Sequence, residues 1–216
     1  MLMSKNILVI CAHPDDEVFG PGGTIAKYSG EGFSVDVVIF SYGEQSHPWL
    51  QKRFVIRTRI KEQKAAGSIL GVKNTVFLGL REGYFKEDSK KKGVHSKISS
   101  IIRKAKPVKI FTHSVDDPHP DHNTVHITAL EALDKSGHKC DVYTFDVWNP
   151  INIIKRKKAR LYVDISGTFE KKLAALRCFR SQKASLISLL WSVYIKAIKS
   201  GIENRTRFAE VFYKVR

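Results

Sequence analysis

Short, continuous apolar runs recur along the chain, each separated from the next by a stretch long enough for a helix. Ile7-Leu8-Val9-Ile10 is the first such run. A strand that is apolar at every position, not at every other one, is buried on both faces, which is the setting of a parallel sheet. Strands are expected over residues 6–11, 33–40, 75–80, 108–112 and 141–148, with 160–165 as a sixth and 208–215 as a short last one. Helices are expected over 25–29, 53–70, 94–105, 122–134, 169–181 and 185–199, and the polar stretch 81–93 as a surface loop. In the longest of these expected helices, Ile56, Ile60, Ala65, Ile69 and Leu70 supply an apolar face and Gly71 ends it. Such alternation implies an α/β fold with a mostly parallel sheet, as one domain over residues 1–216 without repeats or linkers. Sheets of that kind bind ligands beyond the carboxyl ends of their strands.

Two clusters of histidine and carboxylate fall at such strand ends. Cys11-Ala12-His13-Pro14-Asp15-Asp16-Glu17 follows the first run, and His119-Pro120-Asp121-His122 follows the fourth strand. Imidazole and carboxylate suit zinc, which in catalytic sites takes three protein ligands and keeps one position open. His13 and Asp16 stand three apart, a spacing that a tight turn can bring onto one ion. One histidine of the second cluster completes the set; His122, which opens a helix, is the choice, although spacing alone does not separate it securely from His119. Asp15 is then left beside the metal, where a carboxylate can take a proton from water. His119 is left to stabilise an oxyanion or protonate a leaving amine, with Asp121 holding its ring or that of a ligand histidine. Read singly, each cluster is also explained by turn formation and helix capping. No cysteine but Cys11 lies nearby, so a structural zinc site is not expected.

Composition narrows the partners. The net charge of +16 favours an anionic one: nucleic acid, anionic lipid or a phosphorylated substrate. The lysines are dispersed, however, and there is no zinc-finger spacing or aromatic RNA-binding signature, so no specific nucleic-acid partner is expected. The runs Lys90-Lys91-Lys92 and Lys155-Arg156-Lys157-Lys158 read as solvated loops. Residues 186–195 form the longest apolar stretch, too short for a bilayer span of about 20 residues. A core helix is its first reading, and a helix on an anionic membrane surface, with Lys196 and Lys199 following, is the alternative. The isolated Cys11, Cys140 and Cys178 are expected as reduced thiols. With no secretory signal visible, a cytoplasmic protein is expected.

Ala12-His13-Pro14-Asp15-Asp16-Glu17, Gly22-Gly23-Thr24 and Asp117-Pro118-His119-Pro120-Asp121-His122 together resemble the PIG-L/LmbE-like family of zinc-dependent N-deacetylases. Ser41-Tyr42-Gly43-Glu44, Arg59-Ile60-Lys61-Glu62, Phe77-Leu78-Gly79-Leu80, Arg180-Ser181-Gln182 and Phe208-Ala209-Glu210-Val211-Phe212 extend the resemblance over nearly the whole chain. It implies a Rossmann-like fold with helices on both faces of the sheet. It also implies hydrolysis of the acetyl group of an N-acetylglucosamine-containing conjugate or glycolipid, with one Zn2+ per chain. His13, Asp16 and His122 would be the zinc ligands, Asp15 the base, His119 the oxyanion partner, and Asp121 would lie behind the ligands. The resemblance makes a homo-oligomer plausible. Tyr42 stands where the family usually has Asp, Arg81-Glu82 where Pro-Asp is usual, and Cys178-Phe179 where a His or Tyr is often seen; these bear on the substrate more than on the metal.

Further candidates come with competing readings. Arg59 is a substrate contact or one half of an i, i+3 pair with Glu62. Tyr42 is placed near the pocket mouth as a substrate contact, Glu44 is a substrate-site residue orienting the pocket or else plain surface, and Trp148 is a stacking or packing residue. His126 makes a His-x-x-x-His spacing with His122 but lacks the glutamate of a zincin. His113 is expected as packing or pocket wall, and His47, His95 and His138 as surface. Gly20 and Gly22-Gly23 suggest a tight turn beneath the metal more than a phosphate loop. The alternatives to deacetylation are a metal-dependent phosphoesterase and an inactive binder of anionic glycan or nucleic acid.

Overall fold

The computed structural model describes residues 5–149 and 159–216, with backbone alone at residues 184 and 185. The basic run 155–158 lies outside the described residues. Seven strands form one sheet in the order β3-β2-β1-β4-β5-β7-β6. They are β1 (Asn6–Cys11), β2 (Ser34–Ile39), β3 (Asn74–Phe77), β4 (Lys109–His113), β5 (Asp141–Phe145), β6 (Arg160–Asp164) and β7 (Ala209–Lys214). The first five are parallel. β7 runs antiparallel between β5 and β6, so the mostly parallel sheet ends in an antiparallel edge.

β1 shows why the sheet is covered on both sides. Ile7, Val9 and Cys11 enter one core while Leu8, Ile10 and Ala12 enter the other, and all six are essentially inaccessible. Each large apolar side chain buried this way contributes about 1.5–3 kcal/mol. One face is covered by α2 (Gly22–Gly30), α3 (Lys52–Leu70), α7 (Phe169–Leu176) and α8 (Lys183–Asn204), the other by α5 (Val94–Ala105) and α6 (Pro120–Ser136). A single-turn helix α1 (Asp16–Phe19) links β1 to α2. The strand order reverses at β1, whose neighbours β2 and β4 lead to opposite edges of the sheet. The crevice at the carboxyl ends of β1 and β4 is therefore the switch point where such sheets bind ligands.

Some boundaries depart from expectation. Residues 81–93 are not all loop: α4 occupies Phe85–Lys91. Its anchor is one apolar residue in a polar run, Phe85, buried against Phe40. The helix expected over 169–181 stops at Leu176, followed by a 3-10 turn at Arg180–Gln182. β5 ends at Phe145, because the N–H groups of Val147 and Trp148 donate to the Asp117 carboxylate. α6 starts at Pro120, two residues early, with proline in the first turn where its missing N–H costs nothing. The apolar stretch 186–195 is only half core. Leu189 and Val193 are buried, while Ile187, Trp191 and Ile195 face outward. Among the described residues no helix is long and apolar enough to cross a membrane. Cys11, Cys140 and Cys178 are free thiols.

Candidate metal and catalytic site

The chain turns sharply after β1. The His13 N–H donates to Asp16 Oδ2 at 2.8 Å, and the Asp15 N–H donates to Glu17 Oε2 at 3.1 Å. Asp15 adopts φ +112°, a conformation that a non-glycine residue holds only when its surroundings enforce it. Arg59 bonds the Asp15 carboxylate and the Pro14 carbonyl, and groups from the far end of the chain brace the segment that follows. Lys172 Nζ, buried on α7, donates to the Phe19 and Gly20 carbonyls at 2.8 and 2.9 Å and pairs with Glu210 at 2.6 Å. Glu210, buried on β7, accepts from the Gly23 and Thr24 N–H groups at 3.0 and 2.8 Å. A cation thus sits at the carbonyl end of α1 and an anion at the amide end of α2, each matched to its helix dipole. The Gly23 and Thr24 amides are therefore occupied by a protein carboxylate. Gly20 packs so closely on Phe145 that an added Cβ would lie 2.3 Å from its ring, so the turn tolerates no side chain there.

Three imidazoles converge on Asp16. Its Oδ2 lies 3.6 Å from His13 Nδ1, 3.2 Å from His113 Nε2 and 3.5 Å from His122 Nε2. His122 is fully buried, yet its Nε2 has no hydrogen-bond partner. His13, Asp16 and His122 place one donor atom each within 4.8 Å of the others, a two-nitrogen, one-oxygen set that fits a zinc-type divalent ion. Two other triads meet the same spacing, His13-His119-Asp121 and His113-Asp117-His122. Their groups are more committed elsewhere. Asp117 accepts from the N–H groups of His119, Val147 and Trp148 and lies 3.0 Å from His122 Nδ1. His113 Nε2 accepts from the Ala12 N–H, and His119 Nδ1 accepts from the Asp121 N–H. An orphaned nitrogen in a carboxylate-rich cage is the arrangement a cation completes.

The electrostatics agree. Burial drives the His13 pKa down, but hydrogen bonds with Asp121 and Asp16 outweigh it and carry it up to about 10. Burial drives that of His122 down, and the neighbouring His113 adds to the effect. For Asp16, burial opposes ionisation, yet the His122 and His113 charges hold the carboxyl well below the usual range. Asp15 is raised to about 6, mainly by burial, with Arg59 pulling the other way and Asp16 adding to the rise. Burial and the Asp15 charge push Glu17 up to about 8.

A pocket of about 280 Å³ opens over these groups. His13, Asp15, Asp16 and His119 reach it; Arg59, Glu82, Gln45, Ser46 and Gln182 add polar wall, and Phe19, Val147, Trp148 and Leu189 add apolar wall. His119 is half-buried and lines the pocket, whereas His122 lies behind it. Arg59 donates from both terminal nitrogens to Asp15 Oδ2 at 3.3 Å and from one to the Pro14 carbonyl. No Arg59–Glu62 pair forms; Glu62 instead accepts from the N–H and hydroxyl of Ser181. Asp121 turns to His13 Nε2 at 3.3 Å, not to the His119 ring, and is held by the Gly83 N–H.

Other expected contacts lie elsewhere. Tyr42 stacks on Phe77 and Glu44 is buried beside Lys52, so neither side chain lines the pocket. Arg81 folds back onto Asp88. His126 Nδ1 meets the His113 carbonyl at 2.8 Å, away from Asp16. Sequence reasoning gave no role to Asp117, although it stands two residues before His119 in the quoted motif. It also missed Lys172, whose signal is only a lysine in the inward stripe of an amphipathic helix.

The family model described as PIG-L, GlcNAc-PI de-N-acetylase, matches residues 8–133. The chain is 28% identical to a 4-oxalmesaconate hydratase of Pseudomonas putida, covering 93% of this chain and 81% of the relative. It is 29% identical to a probable N-acetyl-alpha-D-glucosaminyl L-malate deacetylase 2 of Bacillus cereus, covering 86% and 87%. The structure of N,N'-diacetylchitobiose deacetylase from Pyrococcus horikoshii superposes with a TM-score of 0.81 at 26% identity, covering 99% of this chain and 84% of the other.

Proposed function

The chain belongs to the PIG-L family, and on that premise we propose that it is a metal-dependent amide hydrolase. It would remove the acetyl group of an N-acetylglucosamine-containing conjugate and release acetate. The observation that carries this reading is the unpartnered His122 Nε2 facing Asp16, with the Asp15–Arg59 pair beside it at the floor of a pocket.

His13, Asp16 and His122 would hold one Zn2+. Such an ion polarises an acyl carbonyl and lowers the pKa of water toward about 7. Asp15 takes the proton from the attacking water; raised to about 6, it is still ionised at neutral pH and is a stronger base than an ordinary carboxylate. Arg59 fixes the orientation of that carboxylate. Water adds to the acyl carbon, and His119, on the pocket wall, faces the developing oxyanion. The carbon–nitrogen bond then breaks, the nitrogen takes up a proton, and acetate and the free amine leave. Asp121 and Asp117 hold the rings of His13 and His122. Gln45, Ser46 and Gln182 offer hydrogen bonds to sugar hydroxyls, and Trp148 offers a ring face.

The hydratase relative marks a second reading, addition of water to an unsaturated carboxylate. The wall favours the neutral sugar. Arg59 is the one lysine or arginine among the described lining residues, and it is already engaged by Asp15, while Asp15, Asp16 and Glu82 contribute three carboxylates. Acetate release from a panel of N-acetylglucosamine conjugates, beside hydration of unsaturated dicarboxylates, separates the two. With the zinc-loaded protein, Asp15→Asn is expected to lose about 10²–10⁴-fold in kcat while keeping its metal. Full activity in that variant removes Asp15 as the base; hydration without acetate release removes the deacetylase reading.

A further inference from the structure

Helix α8 is apolar on both sides. Leu189, Val193 and Ala197 pack into the core, yet Ile187, Leu190, Trp191, Ile195, Ile198 and Ile202 face outward. Ile187 and Ile202 keep 78% and 74% of their surface accessible, values expected of a lysine. From Ile187 to Ile202 the stripe spans 16 residues, about 22 Å end to end at 1.5 Å per step. A helix that is apolar all round is normally covered. This one also adjoins the pocket, since Leu189 and Gln182 line it. The segment leading from Ser46, another lining residue, into α3 exposes Trp49, Leu50 and Phe54.

We propose that the outward face of α8, together with the 49–54 segment, seats this protein on an anionic lipid surface and brings the pocket mouth to the headgroup layer. Charge selects this occupant. The exposed side of α3 carries Arg53, Arg57, Lys61 and Lys64 at helical spacing with no acid between them, because Glu62 is turned inward. Lys183 and Lys199 edge the α8 stripe, and its one exposed acid, Glu203, is already bonded to Tyr162 and Arg160. A second copy would bring these like charges together on a chain of net +16. An anionic bilayer neutralises them and accepts the apolar stripe in the same contact. Trp49 and Trp191, each with an apolar body and one polar N–H, suit the bilayer–water boundary. At 22 residues α8 is long enough but not apolar enough to span, so it would lie on the surface. The docking stands independently of the reaction; only the alignment of the pocket with the lipid rests on the deacetylase reading.

Flotation of the full chain with vesicles of phosphatidylcholine, or of equal parts phosphatidylcholine and phosphatidylglycerol, tests this directly. Binding is expected to be at least about tenfold stronger to the anionic vesicles and to weaken with salt. The triple variant Trp191→Ser, Ile195→Ser, Ile198→Ser is expected to lose about tenfold in binding while keeping full acetate release from a soluble substrate. Brominated lipid should quench wild-type tryptophan fluorescence, with the α8 share of that quenching absent in Trp191→Phe, a variant that keeps the fold and the apolar contact. Flotation with neither vesicle, unchanged flotation of the triple variant, or a wild-type dimer that only the triple variant dissociates would each overturn the proposal. Vesicle binding is read without catalysis, so a missing deacetylase activity leaves it standing, and the reverse holds as well.

Discussion

The two strand ends that build the site reach the same point by opposite means. After β4, the second cluster folds as an ordinary helix start: His119 caps α6, Pro120 occupies its first turn, and Asp117 collects the neighbouring amides. Its helix start is built from neighbouring residues, and only the Val147 and Trp148 amides on Asp117 and the Gly83 and His13 contacts of Asp121 come from farther away. After β1, the first cluster sits in a strained turn, with Asp15 at φ +112° and an α-helix of only four residues. Arg59 bonds it at Pro14 and Asp15, and the Lys172–Glu210 pair, more than 150 residues away in sequence, braces the turn that follows. A relaxed turn is supplied locally, whereas a strained one draws support from distant parts of the chain, here α3, α7 and β7.

That contrast can be broken in graded steps. Lys172→Met leaves Glu210 buried without its cation and is expected to cost about 3–5 kcal/mol, read as a lowered midpoint in urea unfolding. If the strained end depends on this pair, metal affinity falls as well; a stable variant with wild-type affinity would show that the turn holds itself. Asp117→Ala acts at the relaxed end, where a loss of about 10–100-fold in metal affinity by calorimetry is expected, together with a lowered unfolding midpoint because the His119, Val147 and Trp148 amides lose their acceptor.

Metal uptake should also depend on pH in a stated direction. In the metal-free protein His13 holds its proton up to about 10, because its bonds to Asp121 and Asp16 outweigh the effect of burial. A metal must displace that proton, so affinity rises with pH through the neutral range, by up to about tenfold per unit for one proton. Calorimetry at neutral pH in buffers of different ionisation heat should show about one proton released per ion. Identical heats in both buffers would mean that His13 is neutral beforehand.

Legibility followed locality. The alternation of apolar runs revealed the α/β sheet, and the position of the clusters after β1 and β4 located the crevice, because burial on both faces leaves a continuous signature. Residues whose role depends on distant partners left none. Tyr42 and Glu44 stand beside the pocket in sequence, but their side chains turn to Phe77 and Lys52. Arg59, equally balanced between substrate and helix pair on sequence, forms no helix pair with Glu62; it bonds Asp15 and lines the pocket. The stretch that forms α8 left two readings open, a core helix and a membrane-surface helix. An apolar stretch reads as core whichever side it faces, and only the fold shows that half of it is left uncovered.

The second cluster offers two histidines to one ion, and that choice is the central claim. Metal content per chain, measured beside acetate release for His122→Ala and His119→Ala, decides it. The account predicts that His122→Ala loses both metal and activity, while His119→Ala keeps about one ion per chain and loses activity. Retention of the ion by His122→Ala with its loss from His119→Ala would contradict it.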